Sequence, residues 1–128
     1  MGLWNRVFGP REEAPVVHVD DSNFEAEILR ADLPVLLDVW GPGCAPCRQL
    51  EPIVMRLARR YRGSVKVAEL NAAAAPATAA RLGVRGTPTV LYFRGGKVIE
   101  RVVGFRGEPW HDEILRNDLG ATAPTAKG

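Results

Sequence analysis

The only two cysteines of the 128-residue chain, Cys44 and Cys47, stand three positions apart. On a helix that spacing puts both on one face, with their Cβ atoms close enough to bridge. Two thiols cannot complete a tetrahedral zinc site alone, and His18 and His111 lie far off in sequence without ligand spacing. A disulfide closing so short a loop restrains the unfolded chain little, so its structural value is small. A reducing cytosol would not favour a structural bridge either. The chemistry left for the pair is thiol–disulfide exchange, in which the bond is made and broken.

The elements that must position the pair can be read around it. Pro34 to Trp40 (PVLLDVW) is an apolar run of strand length, suited to a strand buried on both faces, with one charge inside it, Asp38. From Cys44 to about Tyr61 the residues Leu50, Ile53, Val54, Leu57, Ala58 and Tyr61 recur with helical spacing and form one apolar stripe. Pro46 is tolerated in the first turn and fixes φ between the sulfurs, whereas Pro52 inside the helix predicts a kink. Cys44 thus opens a helix directly after a buried strand. Unpaired N–H groups and the positive end of the helix dipole favour an anion there, so the thiolate of Cys44 is favoured and its pKa lowered. Cys44, at the tip, attacks a substrate disulfide, and Cys47, further in, then attacks the sulfur of Cys44 and releases the reduced product. Cys47 must lose its proton in an apolar setting, and Asp38 is the candidate base. Capping a backbone group is the other role open to that carboxylate.

The rest of the chain completes one domain. Val16–Val19 is a short β-branched strand, and Ser22-Asn23-Phe24-Glu25 has the form of a capping box, predicting a helix to about Ala31. A strand over Val65–Leu70 precedes an alanine-rich helix over Ala72–Ala80, with Gly83 placed to end it. Pro88–Phe93 and Lys97–Val103 read as a hairpin around Gly95-Gly96, and Glu108-Pro109 opens a last helix to about Leu119. The order βαβαβαββα is that of an α/β protein, a mixed sheet with helices on both faces. Residues 1–15 form an N-terminal extension, 16–120 the domain and 121–128 a flexible tail. A net charge of +2 is too small to point to nucleic acid. Arg48, Arg56, Arg59, Arg60 and Arg62 therefore read as a solvated helix face rather than a basic patch. No apolar run is long enough to span a bilayer. Met1–Pro10 lacks an apolar h-region and cleavage site, so a cytoplasmic location is expected. Membrane contact through Leu3, Trp4, Val7 and Phe8 is not.

The segment VLLDVWGPGCAPC (Val35–Cys47) closely resembles the active-site strand and loop of the thioredoxin family. The resemblance continues through Pro52, VAELN (Val67–Asn71), LGVRGTPT (Leu82–Thr89) and VVGF (Val102–Phe105), and spans Val16 to Leu119. It implies a thioredoxin fold, a central mixed β-sheet of about five strands flanked by four helices, with a cis Thr87–Pro88 bond that is uncommon and retained for shape. It implies a protein-disulfide reductase acting on disulfide-containing proteins, monomeric, without a cofactor of its own, and recharged by an NADPH-dependent reductase. Trp40, Gly86, Thr87, Pro88 and Gly104 would line the substrate groove beside Cys44, although ordinary core packing also accounts for Trp40. Three positions depart from the family pattern. Gly43 replaces a tryptophan before the first cysteine, which loosens the loop. Ala45 stands beside Pro46 within the pair, where the dipeptide tunes the redox potential. Glu69 replaces a lysine near the buried aspartate; if it lies close, two carboxylates raise each other's pKa and Asp38 holds its proton to higher pH. Gly43 keeps open a second function, a thioredoxin-like partner-binding module with weak redox activity. A third, an oxidant or isomerase of the cell envelope, would need an export signal that the sequence does not show.

Overall fold

A computed structural model describes residues 15–122. The elements are β1 (Val16–Val19), α1 (Glu25–Leu29), β2 (Val35–Trp40), α2 (Ala45–Arg60), β3 (Lys66–Asn71), α3 (Pro76–Arg81), β4 (Thr89–Arg94), β5 (Lys97–Val103) and α4 (Glu108–Asn117). The strands form one sheet in the order β1-β3-β2-β4-β5. β3 runs parallel to β1 and β2, whereas β4 is antiparallel to β2 and β5. This is the mixed five-stranded sheet with four helices that the sequence led us to expect.

The apolar run of β2 places it at the centre of the sheet, every residue but Trp40 buried. Alternation along the strand then divides two cores. Leu36 packs with Leu50, Val54 and Leu57 of α2 and with Ile114 and Leu115 of α4. Val35, Leu37 and Val39 face the opposite way, against Phe24, Ile28 and Ala75. Asp38 shares the parity of Leu36 and so lies under α2.

Three local readings are corrected. The capping box does not form: the Ser22 N–H and hydroxyl both donate to Asp20 Oδ1, at 2.9 and 2.6 Å. α1 is a short π-helical turn instead, closed by the Arg30 N–H on the Glu25 carbonyl at 3.0 Å. α3 begins at Pro76, because Asn71 captures the N–H groups of Ala73, Ala74 and Ala75 with its side chain and carbonyl. The N–H of Thr78 is capped from across the fold by Asp21 Oδ1, 2.9 Å away. Nor are all the arginines of α2 merely solvated. Arg56 pairs with Glu108 at 2.8 Å, and Arg60 with Glu108 and Asp112 at 2.7 and 3.1 Å, tying α2 to α4.

Gly95 and Gly96, with φ of 59° and 80°, make the tight turn of the β4–β5 hairpin. The expected extension lies outside the described residues except for Pro15, and so does the expected tail beyond Thr122. Ala121 donates its N–H to the Leu115 carbonyl at 2.9 Å, and the Thr122 carbonyl accepts from Ser64 Oγ at 2.6 Å.

Candidate active site

Cys44 is the N-cap of α2, with extended backbone (φ −100°, ψ 101°), and its sulfur accepts the N–H of Cys47 at 3.2 Å. Serine and aspartate oxygens occupy the same place at other helix starts, satisfying a first-turn donor. A sulfur that already receives an N–H here is a sulfur whose anion the helix stabilises. The chain reaches this position because Gly43 adopts φ +71°, in the left-handed region, where a side chain would be strained even though open space surrounds it. Pro46 follows in the first turn, where its missing N–H is not needed. The two sulfurs are joined in a disulfide with the Cα atoms 5.2 Å apart. Cys44 is half-buried, whereas Cys47 is only 5% exposed. An incoming sulfur can therefore reach Cys44 and not Cys47.

On one side of Cys44 lies the loop before β4. The Thr87–Pro88 bond is cis, and the Thr87 carbonyl oxygen approaches Cys44 Sγ to 3.6 Å. The Gly104 N–H donates to the Pro88 carbonyl at 2.8 Å, and the Gly86 carbonyl accepts from Thr89 Oγ1 at 2.7 Å. Thr87 thus stands beside the first sulfur, and Gly104 is tied to the same loop through Pro88.

Trp40, at the end of β2, is half-buried, its Nε1 donating to Glu69 Oε1. It lines a cavity of about 420 Å³ together with Asp38, Cys47, Arg48, Glu51 and Glu69. Asp38 is 5% exposed, and its Oδ1 is buried without a hydrogen-bond partner among the described residues, so that oxygen caps no backbone group. Burial pushes the Asp38 carboxyl up to about 7, helped by the negative charges of Glu69 and Glu51. Glu69 stands in register with Asp38 on the neighbouring strand, the proximity on which the expectation for Asp38 depended. From the sequence His18 is weighed only as a metal ligand, and Glu51 is not singled out. His18 donates from Nδ1 to Glu69 Oε2 at 2.5 Å, a contact that requires the β1–β3 register to be known. Glu51 was hidden among helix surface residues.

A disulfide that caps a helix, with one reachable sulfur, one shielded sulfur and a cis-proline loop alongside, defines a class: the thiol–disulfide oxidoreductases. Comparison with known proteins narrows it. The Thioredoxin family profile matches residues 15–115. Thioredoxin 1 of Nostoc sp. is 43% identical over 86 residues, covering 67% of this chain and 80% of that protein. Thioredoxin of Haemophilus influenzae is 39% identical over 89 residues, covering 70% and 83%. The chloroplastic thioredoxin M4 of Arabidopsis thaliana is 39% identical, over 70% of this chain and 46% of its own length. The chain belongs to the thioredoxin family, and it is a protein-disulfide oxidoreductase. No helix among the described residues is long and apolar enough to cross a membrane.

Proposed function

We propose that the protein reduces disulfides in other proteins by cycling Cys44 and Cys47 between dithiol and disulfide. The Cys44 thiolate attacks one sulfur of a substrate disulfide; a mixed disulfide forms and the other substrate sulfur leaves as thiolate, which solvent protonates. Asp38 takes the proton of Cys47, whose thiolate attacks Cys44 Sγ. The mixed disulfide breaks, the substrate leaves fully reduced, and two electrons have passed from the dithiol to the substrate. The Cys44–Cys47 bond that remains is the state described above.

A base is needed because Cys47 ionises in a shielded place, and a carboxyl near 7 is matched to that task at neutral pH. The loop of Gly86, Thr87 and Pro88, with Gly104, offers backbone groups to an extended substrate segment, and Trp40 walls the site. Ala45 and Pro46 tune the potential, and Glu69 tunes Asp38. An NADPH-dependent reductase returns the electrons to the disulfide, in the cytoplasm, to a monomer whose domain spans 16–120. No cofactor takes part, since the electrons move between sulfurs.

The observation that carries this reading is the asymmetry of the pair: one sulfur reachable at a helix N-terminus, the other buried in a cavity it shares with Asp38. Reduction of insulin with dithiothreitol as electron source tests it. The wild-type protein accelerates precipitation of the insulin B chain, and Cys44→Ser abolishes the effect. A wild-type protein that binds partners without turnover would establish the binding-module reading instead.

A further inference from the structure

Three side chains stand in a row across the sheet, one per strand. His18 on β1 is in register with Glu69 on β3, and Glu69 with Asp38 on β2. Registered residues of parallel strands share a face, and neighbouring strands lie about 4.8 Å apart. Both oxygens of Glu69 are occupied by donors: Oε1 by Trp40 Nε1, Oε2 by His18 Nδ1. An oxygen pair that accepts twice is a carboxylate held in one orientation. The His18 side chain is 65% exposed, whereas that of Glu69 is 25% exposed. The row therefore runs from solvent to the buried base.

We propose that His18 is a positioning residue of the exchange reaction: with Trp40 it fixes the Glu69 carboxylate beside Asp38, and its own charge decides how much of the Glu69 field Asp38 feels. The proposal rests on the reading of Asp38 as the base for Cys47. When His18 is protonated, its charge offsets that of Glu69, and Asp38 gives up its proton more readily. When His18 is neutral, the full charge of Glu69 bears on Asp38 and holds its proton. The hydrogen bond to Glu69, and more weakly the charge of Asp20, raise the pKa of His18 above its ordinary 6.5. Glu69 therefore favours the cation of His18. As the pH falls, uptake of a proton at the surface counters protonation of the buried base and widens the range over which Asp38 works.

The other groups around Asp38 leave this device intact. From α2, Glu51 adds a negative charge and Arg48 a positive one at the cavity wall, beside Cys47. From β4, Tyr92 bonds His111 of α4 through its hydroxyl; burial keeps the tyrosine protonated and the histidine neutral near pH 7. Glu100 of β5 lies beyond Tyr92.

The test follows the Asp38 carboxyl by carbon-13 NMR in the full-length oxidised protein, a readout independent of turnover. With opposite charges one and two strand spacings away, Glu69→Gln lowers the Asp38 midpoint by about one pH unit and His18→Gln raises it by about half a unit. In the double variant the His18→Gln shift shrinks, because without Glu69 the imidazole loses the hydrogen bond and the charge that favour its cation; His18→Lys, which keeps the charge, leaves the midpoint near that of the wild type. No shift in His18→Gln, or a shift of the same size in the Glu69→Gln background, overturns the proposal. The pH profile of insulin reduction is read on the same variants. Midpoints that move while the rate profile stays fixed would uphold the His18–Glu69–Asp38 coupling and overturn the base role of Asp38.

Discussion

Replacing Asp38 with asparagine keeps the shape of the side chain and removes its charge, so the variant separates what the carboxylate does for the reaction from what it costs the fold. Asp38 is 5% exposed, and its carboxyl titrates at about 7 in the folded chain against an ordinary 3.8. A group whose folded pKa is raised binds a proton more tightly in the native state. Its contribution to stability is fully present below 3.8 and is lost as the pH rises through about 7. At about 1.4 kcal/mol per pH unit, the loss between pH 4 and pH 8 is roughly 4 kcal/mol. Asp38→Asn escapes it. Urea unfolding of the oxidised protein should therefore give similar stabilities for wild type and variant near pH 4, and a variant about 4 kcal/mol more stable at pH 8. If Asp38 is the base for Cys47, as proposed, the same substitution slows insulin reduction by about 10²-fold or more at neutral pH while first attack by Cys44 is retained. A stability gap that does not change with pH would refute the placement of an ionisable, poorly solvated carboxylate under α2.

His111 is buried and its pKa is lowered by desolvation from 6.5 to about 4, so its stabilising contribution is complete above 6.5 and is lost as the pH falls toward about 4. The stability advantage of wild type over His111→Leu should therefore shrink by roughly 3 kcal/mol between pH 7 and pH 4, measured by urea unfolding. A Cβ at Gly96 would come within 2.8 Å of the Leu29 carbonyl oxygen, on a backbone of φ +80°. Gly96→Ala should lower stability by about 2 kcal/mol or more, read as a shift of the thermal midpoint, without changing insulin reduction by the folded fraction.

What the sequence disclosed and what it withheld divide along one line: the range of the interactions. Local signals were legible. The unbroken apolar run of β2, the stripe of α2 and the Gly95-Gly96 turn each dictate their own element, and Cys-x-x-Cys at a helix start carries its chemistry in its spacing. Of the readings that failed, the capping box lost to a local competitor and the others to distant partners. Ser22 turned back to Asp20 rather than capping a helix. The start of α3 was settled partly by Asp21, on the far side of the chain. Arg56 and Arg60 were matched by Glu108 and Asp112 of a helix that lies some fifty residues later. The site shows the same division. Asp38 was legible as the single charge in a buried strand, and the effect of Glu69 was legible as a conditional. His18 was not, because its relation to Glu69 exists only once β1 and β3 are in register.

In the proposed reaction one sulfur at the mouth of α2 performs the attack and the other, behind it, completes the exchange. Trapping tests it directly. Cys47→Ser, reduced and mixed with a disulfide-containing protein, should accumulate a stable mixed disulfide that peptide mapping places on Cys44, and Cys44→Ser should accumulate none. Mixed disulfides forming equally on Cys47 in the Cys44→Ser protein would contradict the account.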